Sequence, residues 1–454
     1  MILSGTLSLP FGAIALQATE IVGADTAWVL MSTALVLLMT PALGFFYGGL
    51  VRSKNILNTL MMSFASMGVV GVVWALFGYS LAFSTGNDWI GGTDFFFLNG
   101  VGLEPGAVGA FPHLLFMAFQ GTFAIITAAL ISGAIVERMR FGPYLAFIAL
   151  WIVAVYAPIC HWVWGGGWIF QLGALDFAGG TVVHINAGIA AVVASIVVGA
   201  RKDYGRQAFL PHNVTYVLLG AGLLWFGWFG FNGGSAVAAN ATAALAFVNT
   251  MLAPAATLVV WMLLDTFRGG KATAVGAATA IVVGLVAITP AAGFISPLNA
   301  LVLGAIAAFP SYFAILYRSR SRLDDSLDVF AAHGTGGLAG ALLTGVLAQA
   351  AWGGFDGALY GNVALLGAQA FGILGAAAYS AVATYLILKL ISLVTPLRKS
   401  PREEGMGLDV IAHGEEGYAR GEGALLVHPD APKRPAARPA TVPVGRMTAT
   451  KETV

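Results

Sequence analysis

The sequence predicts an all-α membrane protein of eleven transmembrane helices: two inverted five-helix repeats plus a C-terminal helix, N-terminus outside and C-terminus inside. Three observations lead there. The chain is 58% hydrophobic and only 9% charged, whereas a soluble domain carries about 25% charged residues and needs them to cover its surface. Its apolar residues fall in runs of the length that crosses a bilayer, about 20 residues per helix. Its 22 basic residues all fall on one side of those runs.

In chain order the runs lie near 26–49, 56–83, 114–136, 141–160, 180–200, 214–234, 243–264, 274–290, 298–317, 328–350 and 362–394. The eighth is short and ends at Thr289-Pro290. Arg52 and Lys54 follow the first run, and Arg138 and Arg140 follow the third. Arg201, Lys202 and Arg206 follow the fifth, Arg268 and Lys271 the seventh, and Arg318, Arg320 and Arg322 the ninth. The remaining basic residues sit at Lys389 or in the tail, and the intervening loops 84–113 and 351–361 have none. Basic loops stay cytoplasmic, so an odd number of spans puts the C-terminus inside. One missed span would scramble this asymmetry.

The domain reading follows. Residues 1–24 form an N-terminal extracellular segment or a signal peptide: LSLPFGAIALQA is apolar and ends in small residues, but no Lys or Arg precedes it. Residues 25–395 form the transmembrane domain, 396–420 a cytoplasmic regulatory tail, and 421–454 a Pro/Ala-rich segment whose composition reads as disordered. The 59 glycines indicate close helix packing. Phe45-Phe46-Tyr47-Gly48-Gly49 in the first run echoes Phe231-Asn232-Gly233-Gly234 in the sixth, and the fifth and tenth runs each hold one histidine. Runs five apart cross in opposite directions, which makes the repeat inverted, and such repeats bracket transport paths.

Polar residues inside spans are where the chemistry is expected. The stretch DFAGGTVVHINAG (176–188) holds Asp176 and His184, and His333 opens HGTGGLAG in the tenth run. The ordinary structural role of two such histidines is an interhelical hydrogen bond. Asp176, just before Gly179-Gly180-Thr181, is expected to cap free amides at a helix start, and its field favours a cation in the outer vestibule. Asp328, at the cytoplasmic start of span ten, is expected to cap in the same way. Phe119 and Phe123 share one helical face. Trp162 and Trp168 read as a membrane-interface belt. The run Trp225–Asn232 is bulkier than lipid contact demands, and an aromatic face near the hydroxyl of Ser235 suits a small cation. A zinc site from the two histidines and Asp176 is disfavoured, because there is no HExxH and His184 has no ligand three or four residues on. No metal, no cofactor and no enzymatic activity are expected. Net charge of +1 implies no nucleic-acid partner, and the single Cys160 can form no intrachain disulfide.

The stretches FQGTFA, WGGG, DFAGGTVVHINAG, WFGFNGGSA, ITPAAGF and the later His-Gly-x-x-Gly occur in order, followed by GLDVIAHGEEGY at 407–418. With this set the sequence resembles the ammonium transporter family (Amt, Mep and Rh proteins), in its bacterial Amt branch, over nearly all of 25–418. The resemblance implies a multi-pass homotrimer in the plasma (inner) membrane with a pore through each subunit. It would take up ammonium, with methylammonium as an analogue. A PII-type regulatory protein would dock at the cytoplasmic face. Trp164, Phe123 and Ser235 match the family's outer recruiting site, and Asp176 the aspartate that shapes it. Phe123 and Phe231 match its gate, His184 and His333 its pore histidines, and Thr289 a threonine close to the outer region. Ammonium would be deprotonated beneath the outer site and ammonia conducted, with or without a coupled proton relay. The alternative is an ammonium sensor signalling through its cytoplasmic tail. One expectation conflicts with this. His184 lies near the outer end of its run and His333 near the inner end of its own. At 1.5 Å per residue, ideal helices leave them well apart in depth. Pairing requires both helices to begin deep, below recessed vestibules.

Overall fold

The computed structural model describes residues 20–418. Most of the N-terminal segment and all of 421–454 therefore lie outside the described residues. Among the described residues there is no strand, only two isolated β-bridges, Pro105 to Pro112 and Met139 to Arg398.

Among the described residues ten helices are long and apolar enough to cross a membrane: α1 Gly23–Leu50, α2 Ser53–Phe83, α3 His113–Ser132, α4 Phe141–Gln171, α5 Gly180–Val198, α6 Val214–Gly234, α7 Ala241–Gly269, α9 Pro297–Arg318, α10 Phe330–Leu347 and α11 Val363–Val394. Between α7 and α9 lies α8, Ala274–Ile288, apolar but shorter. Its 15 residues span about 22 Å, less than the bilayer core of about 30 Å. The protein is a multi-pass membrane protein.

Two pairs of helices five apart in the chain, α1 with α6 and α5 with α10, pack closely on each other. A Cβ on Gly220 of α6 would lie 2.4 Å from the backbone nitrogen of Phe46 on α1, and one on Gly227 would lie 2.7 Å from the Leu35 carbonyl. α5 and α10 meet in the same way at Gly188, where a Cβ would sit 2.4 Å from Cα of Gly334. Both of these helices begin with a wide turn, Gly180–Ile185 and Phe330–Gly334, closed by bonds such as His184 N–H to the Gly179 carbonyl at 3.0 Å. Wide turns of this kind shift the register of the side chains that follow and recur at functional sites.

The basic loops form a buried ionic network. Glu137 is fully buried in the α3–α4 turn. It accepts from Arg52 Nε at 2.9 Å, Asn55 Nδ2 at 2.8 Å and Arg201 Nη1 at 2.6 Å. Burial alone would raise its carboxyl, but Arg201 and Arg52 hold it at about 2. Arg201 also grips both oxygens of Asp324, and Arg138 reaches the Asp324 carbonyl and Ser326. Buried charges are tolerated only when paired in this way.

The tail docks on the same loops. Its short helices α12 Pro401–Met406 and α13 Leu408–His413 place Asp409 Oδ1 2.8 Å from the Asn58 amide and Glu404 Oε2 3.0 Å from the Lys202 amide. Tyr418 hydroxyl lies 2.9 Å from His212 Nε2.

Candidate functional site

The site is a column of rings through the centre of the molecule. At one end Trp164 is fixed by its indole N–H, which donates to the Asp176 carbonyl at 2.9 Å. The Phe123 ring meets it edge-on at 6.1 Å. Phe119 braces Phe123 at 5.0 Å. Ser235, one turn beyond Phe231, donates its hydroxyl to the Phe231 carbonyl at 2.8 Å. Its lone pairs therefore stay available to accept a bond.

Next to this the Phe123 and Phe231 rings pack together, centroids 4.2 Å apart and planes tilted by 30°, both essentially inaccessible. His184 follows at 6.0 Å from Phe231, and His333 at 5.4 Å from His184, all nearly parallel. The two Nδ1 atoms are 3.3 Å apart, so one ring donates and the other accepts. The expected separation in depth is overturned. The starts of α5 and α10 cross at Gly188 and Gly334, and that crossing brings the two rings together. Buried His184 Nε2 has no hydrogen-bond partner among the described residues. Beside the histidines is a cavity of about 10 Å³, otherwise lined by apolar side chains including Met39, Leu43, Ile126, Leu130 and Leu224. That is close to the room one water needs. Beneath His333 a wider cavity of about 180 Å³ opens among Phe46, Tyr47, Phe209, Arg318, Ser326 and Asp328.

Two carboxylates set the helix starts. Asp176 accepts from four amides: Gly179 at 2.8 Å, Gly180 at 2.6 Å, Thr181 at 2.8 Å and Val182 at 3.2 Å. The expectation for Asp328 needs correction. The cap of α10 is Asp325, which accepts from Val329 at 3.1 Å and Phe330 at 2.8 Å. Asp328 has left-handed backbone, φ 58°, and its carboxylate pairs with Arg318 at 2.7 and 3.0 Å. Asp176 and Asp325 each stand eight residues before one of the two paired histidines, so the two halves of the site are built alike.

Thr289 is fully buried at the end of α8. It accepts from Trp228 Nε1 at 2.9 Å, and that indole stacks on His184 at 5.3 Å. Trp228 is the site residue that sequence reasoning missed. Its signal was the bulky 225–232 run, in which it stands three residues before Phe231. The lipid-belt reading of Trp162 also fails, because Trp162 is buried and donates to the Trp89 carbonyl. Trp168 packs against both of those indoles. Among the described residues no three His, Cys, Asp or Glu side chains gather as metal ligands.

Packed aromatic rings beside a buried histidine pair, held where two wide-turned helices cross, sit inside a polytopic, all-helical membrane protein. Residues 27–418 match the Ammonium Transporter Family, and the chain belongs to that family. It is 48% identical over 398 residues to the ammonium transporter of Bacillus subtilis (strain 168), covering 87% of this chain and 98% of that one, and it falls in the bacterial Amt branch. The crystal structure of Saccharomyces cerevisiae Mep2 superposes with TM-score 0.79 at 36% identity, covering 86% of this chain and 90% of that one. A structure named Sensor Amt Protein gives TM-score 0.81 at 31% identity, covering 86% and 98%.

Proposed function

We propose that the chain is an ammonium/ammonia transporter of eleven spans, the short α8 included. In this reading its N-terminus is outside, its C-terminus is cytoplasmic, and it works as a homotrimer in the plasma membrane. The observation that carries the mechanism is the ring column: Phe123 and Phe231, packed at 4.2 Å, followed by the His184–His333 pair. Such a passage has no room for a hydrated ion. Taking a bare cation into low dielectric costs, in the idealised limit, on the order of 20 kcal/mol. Ammonium escapes that cost by losing a proton, because burial favours the neutral form. Potassium has no proton to lose.

Trp164 and Phe123 would hold ammonium by their π faces, worth about 0.5–2 kcal/mol, with Ser235 accepting one hydrogen bond. The oxygens of Asp176 are taken by amides, so its contribution to the cation is through its field rather than by contact. Beneath the gate, His184 and His333 meet ammonia and can relay a proton, since each ring both donates and accepts. The docked tail supports regulation from the cytoplasmic face, with a PII-type protein as the partner that blocks the exit.

Reconstituted into liposomes, the protein is expected to carry ammonium or methylammonium without competition from potassium, with membrane potential recorded throughout. Potassium passing as readily, or neither species passing, overturns the reading. Uptake that persists when the chain is cut after residue 420 separates transport from the sensor alternative. If the histidines carry the proton, His184→Asp or His333→Glu is expected to change the ratio of charge to ammonia moved. An unchanged ratio leaves them a structural pair.

A further inference from the structure

The two mirrored caps are unequal. The outer carboxylate, Asp176, holds four amides, whereas the inner one, Asp325, holds two. Asp325 is fully buried at the entrance to the wide turn Phe330–Gly334, which contains His333. Charged and titratable groups face it from several sides. Asp324 and Asp328 are on its own segment, Arg318 comes from α9, Arg138 from the α3–α4 turn, and Tyr47 from α1. Asp324 is committed to Arg201, and Arg318 to Asp328. Among the described residues no cation is therefore paired with Asp325 itself, and two amides hold its charge.

We infer that Asp325 is the positioning residue for His333, and that the loss of its charge when the cytoplasm acidifies slows the pore. The inference rests on the transport reading above. The charged carboxylate fixes the first amides of α10, and with them the depth of the His333 ring against His184. It also places a negative charge below that ring, which favours the imidazole when it carries a proton. Neutralising it removes both effects.

The sign follows from the acid form. Burial, and then the charge of Asp328, push the Asp325 carboxyl up to about 6. The carboxylate is therefore nearly complete at pH 7.5 and about one quarter populated at pH 5.5, a roughly fourfold fall.

The test compares ammonium flux by the full chain and by Asp325→Asn in liposomes, with equal pH on both faces, stepped from 7.5 to 5.5. The ammonium–ammonia balance is identical for both proteins, so the ratio of their rates cancels it. The ratio is expected to fall as pH drops, by at most about fourfold, because the asparagine cannot lose a charge. A ratio that stays constant overturns the inference alone, whereas a wild type that carries no ammonium at any pH overturns the transport reading with it. Asp328→Asn supplies a second measurement should Asp325→Asn not fold. Removing the neighbouring charge is expected to move the midpoint of the wild-type decline to lower pH, and a midpoint that is unmoved or higher counts against the inference.

Discussion

Asp176→Ala is expected to abolish ammonium flux and to destabilise the protein by several kcal/mol. Four amides end on that one carboxylate, and the residue is buried. Each buried amide left without an acceptor costs roughly 1–3 kcal/mol, so about 4 kcal/mol is the low end for the alanine. The amides belong to the first turn of α5, which carries His184, and the Asp176 carbonyl also anchors the Trp164 indole. The substitution therefore reaches the outer site and the pore together. Asp176→Asn grades the effect. Its single carbonyl oxygen can accept two of the four bonds, while its NH2 group faces the other two amides as a donor. Unfolding midpoints in detergent should rank wild type, asparagine, alanine, and flux should follow the same order. An alanine variant as stable as the wild type would remove the capping role.

The sequence made the helices legible because membrane spans are written in long apolar windows and basic loops, both local features. The column of rings was legible only through the resemblance, since its members come from α3, α4, α5, α6 and α10. The misreadings have physical causes. Asp325 and Asp328 are both acidic and both precede α10. Only backbone geometry, with Asp328 at φ 58°, decides which one faces the free amides. The separation of the histidines was misjudged because threading each run across a bilayer by itself cannot show that the starts of α5 and α10 cross at Gly188 and Gly334. Trp228 and Thr289, 61 residues apart, leave no local pattern. Neither does the network joining Arg52, Glu137, Arg201 and Asp324. Each of its members reads alone as an ordinary loop charge, and only burial makes the pairing obligatory.

Gly188→Ala is expected to lower ammonium flux at least about tenfold and to cost about 1–3 kcal/mol of stability, the usual range for overpacking. The added Cβ would lie 2.4 Å from Cα and 2.5 Å from N of Gly334, and 3.4 Å from the His333 carbonyl carbon. These are backbone atoms, so no side chain can rotate away. Ordinary contact is restored only if the helices separate by about 1 Å. The two Nδ1 atoms, 3.3 Å apart at the start, then leave hydrogen-bonding range. The narrow cavity beside them widens, and the apolar passage loses its fit to one small neutral molecule. Gly222→Ala is the control. It lies within α6 with nothing within 4 Å of its added Cβ, and alanine there should leave flux unchanged and raise the unfolding midpoint, since it favours helix by about 1 kcal/mol over glycine. Loss of flux in both variants would point to a general sensitivity to alanine. Loss at Gly188 alone ties the histidine pair to the closeness of this one crossing.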